Sequence, residues 1–253
     1  MIDYEVRGHV AILTINRPDA RNAVNAAVAS GMEEALDKAE ADDNVWVMVL
    51  AGEGPVFCAG ADLKAIASGE GGGLGTKRGG FAGLVQRERT KPLIAAVNGP
   101  ALAGGTEIVL SCDLVVASTE ARFGVPEVKR SLVAAAGALF RLAQKMPQNI
   151  AAELLLTGDP ISAERAHHFG LVNELCEPGQ AVDAALALAE RISENAPLAV
   201  RESLNVMRAS RMVDDEAAFR LSGEAFARLA STEDYAEGPR AFIEKRAPQW
   251  KGR

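Results

Sequence analysis

The chain reads as an α/β protein in which a sheet-rich part precedes a helical end. Two observations predict this. Short, almost wholly apolar runs recur at VWVMVLAG (45–52), PLIAAVNG (92–99) and DLVVAS (113–118), as strands buried on both faces of a sheet do. Stretches with helical spacing join each run to the next, and strand, crossover helix, strand is the pattern of a parallel sheet.

The elements follow in order. Residues 4–7 and 10–15 alternate around a tight Gly8-His9 turn and predict a first strand pair. NAVNAAVASGMEEALDKAEADD then predicts a helix over 26–41. The buried strand at 45–52 leads through FCAG into a helix opening near Ala61. SGEGGGLGTKRGG (68–80) holds seven glycines in thirteen residues, cannot form a regular element at low entropic cost, and reads either as a mobile loop beside a pocket or as a plain surface linker. It is no phosphate loop, because Thr76 separates Gly75 from Lys77 and GxGxxG fails throughout. The strand at 92–99 passes through glycines into a helix opening near Gly104, and 113–118 closes that unit. From about residue 137 helical patterns dominate, interrupted only by the short extended piece LVNEL. Pro197 suits the first turn of the penultimate helix. Residues 1–195 are thus a core and 196–253 a helical extension.

Composition excludes several function classes. The 253 residues carry a formal net charge of −7 and no dense basic tract, which disfavours nucleic acid as a partner. No apolar run reaches the roughly 18 residues of a membrane span, and the first residues alternate rather than form a signal peptide, so a cytoplasmic protein is expected. Cys58, Cys112 and Cys176 are odd in number and far apart, which fits core packing better than a disulfide framework or a metal site. His9, His167 and His168 lie in no GxSxG or HExxH context and read as surface or packing residues. Carboxylates and backbone groups remain.

Two places share a design that could use them. VMVLAGEGPVFCAGADLKAI and LIAAVNGPALAGGTEIVL each run from a buried strand, through glycines, to a helix start, where open α/β sheets bind ligands. N–H groups at a helix start lack internal partners, and two of them converging on one oxygen would form an oxyanion hole. Glu107 lies one turn into the second helix, in an otherwise apolar stretch, and Glu127 follows twenty residues later in RFGVPEVKRSL. Two carboxylates facing one substrate can divide acid and base roles. A structural or solvated role for each remains open on spacing alone.

These residues resemble the crotonase family, the enoyl-CoA hydratases and isomerases. FCAGADLK (57–64), NGPALAGGTEIVLSCDLVVAS, FGVPEVKRSL (123–132), TGDPISAERAHHFGLVNEL (157–175) and EGPRAFIEKRAPQWKGR (237–253) match family segments in the expected order over nearly the whole chain. The resemblance implies a spiral of ββα turns with C-terminal helices that trimerise, often as a dimer of trimers. It implies that the Ala61 and Gly104 N–H groups hold the carbonyl of an acyl-CoA thioester. Glu107 and Glu127 would then act on one water across a trans-2-enoyl-CoA, in fatty acid β-oxidation or related metabolism. Ala59, Asp62, Leu63 and Lys64 would contact substrate or CoA, with Phe242 and Lys245 completing the CoA site from the C-terminal helix. No metal or separate cofactor is implied, since coenzyme A belongs to the substrate. Double-bond isomerisation and non-catalytic acyl-CoA binding are the alternatives, and an intact glutamate pair argues against the latter. Ser131 and Ala135 depart from the family, which usually has glycine at both places, the second helping to seat the water.

Overall fold

The computed structural model describes residues 1–69 and 71–253. Glu70, inside the glycine-rich stretch, lies outside the described residues. Strands β1 (Ile2–Arg7) and β2 (Val10–Ile15) form an antiparallel hairpin, and α1 (Ala26–Ala41) follows, as the sequence predicts. Asn25 caps α1, its side chain accepting from the Val28 N–H. At the other end Lys91, only 1% exposed, donates to the Ala39 and Asp42 carbonyls, both at 2.7 Å. A cation at a helix C-terminus also complements the helix dipole.

Strand β3 (Val47–Gly52) leads to α2 (Leu63–Ala67). The glycine-rich segment is more ordered than its composition predicts. It holds a 3₁₀ turn at Gly71–Gly73 and a small hairpin of β4 (Gly75–Thr76) and β5 (Gly80–Phe81). The hairpin is held on α1 by Thr76 donating to Glu33 and by the Arg78–Asp37 ion pair, two contacts between segments some forty residues apart. Strand β6 (Leu93–Val97), the short β7 (Ala101–Leu102), α3 (Gly104–Ser111), β8 (Leu114–Ser118) and β9 (Arg122–Gly124) come next. Helices α4 (Ala138–Lys145) and α5 (Gln148–Thr157), strand β10 (Ile161–Ser162), helix α6 (Ala163–His168) and strand β11 (Glu174–Cys176) complete the mixed part. Helices α7 (Ala181–Ser193), α8 (Pro197–Ala209), α9 (Asp215–Ala230) and α10 (Glu233–Glu244) close the chain. Pro197 does open a helix, but two more follow it rather than one, because EDYAEGPRAFIE is also helical.

Six strands form one sheet in the order β1-β2-β3-β6-β8-β11, parallel from β2 onward. Alternate residues feed two cores. Leu13, Met48, Leu50, Leu93 and Ala95 face α1 and α3, whereas Val47, Val49, Ile94, Ala96 and Val116 pack with Ala185 and Ala189 of α7. Helices on both faces explain why these strands read as unbroken apolar runs. A second, three-stranded sheet, β10-β9-β7, is built from pieces of two or three residues and was not foreseen. Cys58 and Cys112 are buried in the first core, and burial pushes both thiols up to about 12. Cys176 is only partly buried, packed beneath α7. His9 stacks on Trp46 at 3.6 Å, and His167 Nδ1 lies 3.0 Å from the Val172 carbonyl. Among the described residues no helix is long and apolar enough to cross a membrane.

Candidate active site

Gly60 and Gly104 bring the two strand ends together. A Cβ on Gly60 would stand 3.0 Å from the Gly104 nitrogen and 2.9 Å from the Ala103 Cβ. Glycine is required at residue 60 twice over, because its φ is +91°. Close approach explains the other glycines here. A Cβ on Gly105 would fall 2.1 Å from the Cys58 carbonyl, and one on Gly104 would strike the Phe81 ring. The room at Gly105 is therefore taken by the chain itself rather than by a ligand.

The two N–H groups are freed in different ways. Helix α2 starts at Leu63 with Asp62 as its cap, so Ala61 stands before the helix rather than in its first turn. A parallel bridge to Val24 takes the Gly60 carbonyl and the Asp62 N–H, which leaves the Ala61 N–H turned away from that bridge. Gly104 is the first residue of α3 and has no preceding turn to donate into. Neither N–H has an acceptor among the described residues. Ala103, just before α3, is held at φ 52°, ψ −127°, a conformation that L-residues rarely adopt. Its N–H donates to the Gly124 carbonyl at 2.9 Å, which ties this strained turn to β9.

Buried polar residues that the sequence reading missed fix this frame. Asn22 is fully buried, accepts from the Arg17 N–H and donates to the Glu53 and Val56 carbonyls. It thereby anchors the loop leading to Phe57. Arg17 pairs with Asp62 at 3.0 Å and holds that carboxyl below the usual carboxylate range, helped by the Ala65 and Lys64 N–H groups. The Thr106 hydroxyl lies within 2.9 Å of both the Ala101 and Gly124 carbonyls and accepts from the Gly124 N–H. It fastens α3 to the strand that precedes Glu127. Asn22, Arg17 and Thr106 are ordinary polar residues in sequence, and only partners far along the chain reveal their work.

Glu107 and Glu127 meet at this place. Glu107 is 3% exposed, and its Oε1 accepts from the Ala138 N–H at 3.1 Å, at the start of α4. Burial pushes its carboxyl up to about 7; the Glu127 charge adds to the rise, and the Ala138 and Ala136 N–H groups and Arg141 oppose it. Glu127 sits in a 3₁₀ turn, Pro126–Arg130, with one carboxylate oxygen buried and without a hydrogen-bond partner among the described residues. Burial raises its carboxyl too, against its own N–H and Arg130. A buried carboxylate oxygen without a partner is uncommon in a native fold. Arg141 steadies the arrangement, donating to the Val85 carbonyl at 2.6 Å and lying across Gly137, beside the turn whose N–H groups face Glu107.

The raised Glu107 carboxyl predicts a pH-dependent stability. Its proton is held more tightly in the folded chain than in the unfolded one, so its contribution is complete below about pH 4.5 and is lost as pH rises through 7. The full loss is about 3 kcal/mol. Urea unfolding of Glu107→Gln should therefore lose less stability between pH 5 and pH 8 than the unsubstituted chain, by up to about that amount. Equal slopes would mean that Glu107 is not tuned in this way.

The two departures from family glycines have different consequences. Ser131 adopts φ 56°, ψ 34°, the left-handed region that glycine favours. Ser131→Gly is therefore expected to raise stability by roughly 0.5–1 kcal/mol, read as a higher Tm. Ala135 has no positive φ, so its methyl is accommodated, and its N–H donates to the Val133 carbonyl at 2.9 Å. It is the Ala136 and Ala138 N–H groups that face Glu107.

The remaining predicted contacts divide. Ala59 is partly buried beside Gly60, and its N–H donates to the Arg21 carbonyl. Leu63, 68% exposed, and Lys64 lie on the outer side of α2. Phe242, 86% exposed, and Lys245 are not brought to the glutamates within one chain, because α10 packs on α9 and on the final residues. No group of three or more His, Cys, Asp or Glu among the described residues could hold a metal ion.

Comparison with known proteins points the same way as this geometry. The family profile named Enoyl-CoA hydratase/isomerase matches residues 5–253. Enoyl-CoA hydratase EchA19 of Mycobacterium tuberculosis is 42% identical over 98% of this chain and 96% of its own length. The 2,3-dehydroadipyl-CoA hydratase of Escherichia coli K12 is 38% identical over 96% of each chain. A crystal structure of enoyl-CoA hydratase from M. tuberculosis H37Rv superposes with a TM-score of 0.96 at 48% identity, covering 100% of this chain and 99% of that one. The fold is therefore the one the sequence resemblance implied.

Proposed function

The chain belongs to the enoyl-CoA hydratase/isomerase family, and we propose that it adds water across the double bond of a trans-2-enoyl-CoA to give a 3-hydroxyacyl-CoA. The observation that carries this reading is the placement of buried Glu107 and half-buried Glu127 beside two backbone N–H groups that have no acceptor among the described residues. The Ala61 and Gly104 N–H groups would donate to the thioester oxygen. As the water oxygen bonds to C3, the C2–C3 π electrons shift toward C2 and the thioester oxygen, where preorganised donors are most effective. Glu107 takes a proton from the water and Glu127 delivers one at C2. The pair ends with as many protons as it began with, and its titration belongs to both groups together.

Ala59 and Leu63 are assigned to substrate contact and Lys64 to the CoA nucleotide. Asp62 contributes by holding Ala61 in place. A homotrimer, or a dimer of such trimers, accounts for Phe219, Phe226, Phe242 and Ile243, which are 61–86% exposed on α9 and α10. Large apolar side chains exposed on two adjoining helices are ordinarily covered by a partner. In such an assembly Phe242 and Lys245 would reach a neighbour's CoA site. Light scattering checks this, and a monomer would remove both residues from the site.

The activity is tested by incubating the protein with crotonyl-CoA and following loss of the conjugated thioester absorbance. Hydration consumes that absorbance. A 3-enoyl-CoA that gains conjugation, with crotonyl-CoA untouched, would replace hydration by isomerisation. Binding of acyl-CoA without turnover of either would leave only a binding role.

A further inference from the structure

A cavity of about 980 Å³ opens at the far end of α3 from Gly104, between Ser111–Asp113 of the core and Asn205–Arg211 of the extension. Helix α3 separates it from Gly104 by its whole length of eight residues, or about 12 Å. Its walls are cationic although the chain is acidic overall. Arg87, Arg89, Arg141, Lys145, Arg208 and Arg211 all line it, against three carboxylates.

Those carboxylates are largely committed. Asp113 accepts from Arg208 at 2.7 Å through both oxygens and lies 3.3 Å from Arg89. Glu40 accepts from the Thr90 hydroxyl and from the Thr90 and Lys91 N–H groups, and Glu88 is exposed. Donors are in surplus. Arg87 pairs with Asp37 through one nitrogen, Arg89 donates to the Ser111 carbonyl and Lys145 to the Cys112 carbonyl, yet Arg87 Nε and Nη1 and Arg89 Nε, on side chains only 6% and 5% exposed, have no acceptor among the described residues. The remaining cations crowd one another. Burial lowers the proton affinity of Arg141 and Lys145, and the charges of Arg89 and Arg211 lower it further in both. Cations gathered in a partly desolvated cavity, with their carboxylates already shared, are best relieved by an anion with several acceptor oxygens.

We propose that this cavity is a binding site for a small polyvalent oxyanion of the phosphate type, separate from the acyl-CoA site. Arg208 and Arg211 supply its mouth, and Arg89 and Lys145 its inner wall, while Arg141 stands between this cavity and the Glu107 turn.

Inorganic phosphate is the probe. It is titrated calorimetrically into the full-length protein at fixed ionic strength balanced with chloride, in the presence and absence of saturating coenzyme A. One saturable phosphate per chain, unaffected by coenzyme A, is the expected result, with a Tm that rises in phosphate and not in chloride. Arg211→Gln, at an exposed position on the rim, should fold normally and bind at least tenfold more weakly. Lys145→Gln tests the inner wall by the same readout. Absence of saturable binding, displacement by coenzyme A, or unchanged affinity in both variants would overturn the proposal.

Discussion

Glu127→Gln is expected to lower kcat for crotonyl-CoA hydration by about 10²–10⁴-fold, the range set by removal of a general acid or base. Glutamine keeps the shape and leaves the Pro126–Arg130 turn intact, but it cannot carry a proton to C2. Glu107→Gln should lose a similar factor for a different reason. The amide oxygen can still accept from the Ala138 N–H, yet no carboxylate remains to take the water's proton. Because the two act on one water, the double variant should be little worse than the poorer single one. KM should move little in either, since neither side chain is assigned to the CoA moiety. If both single variants hydrate at the unsubstituted rate, the site is elsewhere.

Gly60→Ala is expected to damage the same reaction through the backbone. A methyl there would be forced to φ +91° and would stand 2.9–3.2 Å from Ala103, the Gly104 nitrogen and the Leu102 carbonyl. These are backbone and Cβ atoms, which cannot swing aside as the end of a long side chain can. Strain of this kind costs about 1–3 kcal/mol of stability. Spreading Ala61 from Gly104 should lower kcat/KM by a further ~10²–10³-fold, as loss of an oxyanion donor does. Gly8→Ala is the control, because Gly8 also has positive φ (+56°) but nothing within 4 Å of a new Cβ. It should share part of the stability loss and keep full activity. Equal activity losses in the two would point to strain in general rather than to the hole.

The elements that the sequence showed clearly are those whose signal is local. Helix α1 lies at 26–41 as its spacing predicts, and β3, β6 and β8 fall within the apolar runs. Glu107 was visible because a charge among apolar helix residues breaks a pattern that short-range rules define. The second sheet was not visible, because strands of two or three residues carry no periodicity. Pro197 opens the helix that its sequence context predicts, but that helix is third from the end, because EDYAEGPRAFIE forms a further helix after α9.

What the sequence determined by itself was the α/β order, the glycines at the two strand ends and the two glutamates, all properties of neighbours along the chain. Tertiary structure alone decided how these parts are used. The Ala61 N–H is free because Val24, thirty-seven residues earlier, bonds to the groups on either side of it. Thr106 joins β7 to β9, and so sets Glu127 against Glu107. Burial among groups from α3, the 126–130 turn and α4 raises both carboxyls. Desolvation and hydrogen-bond geometry depend on what surrounds an atom in space, and a one-dimensional spacing does not contain that.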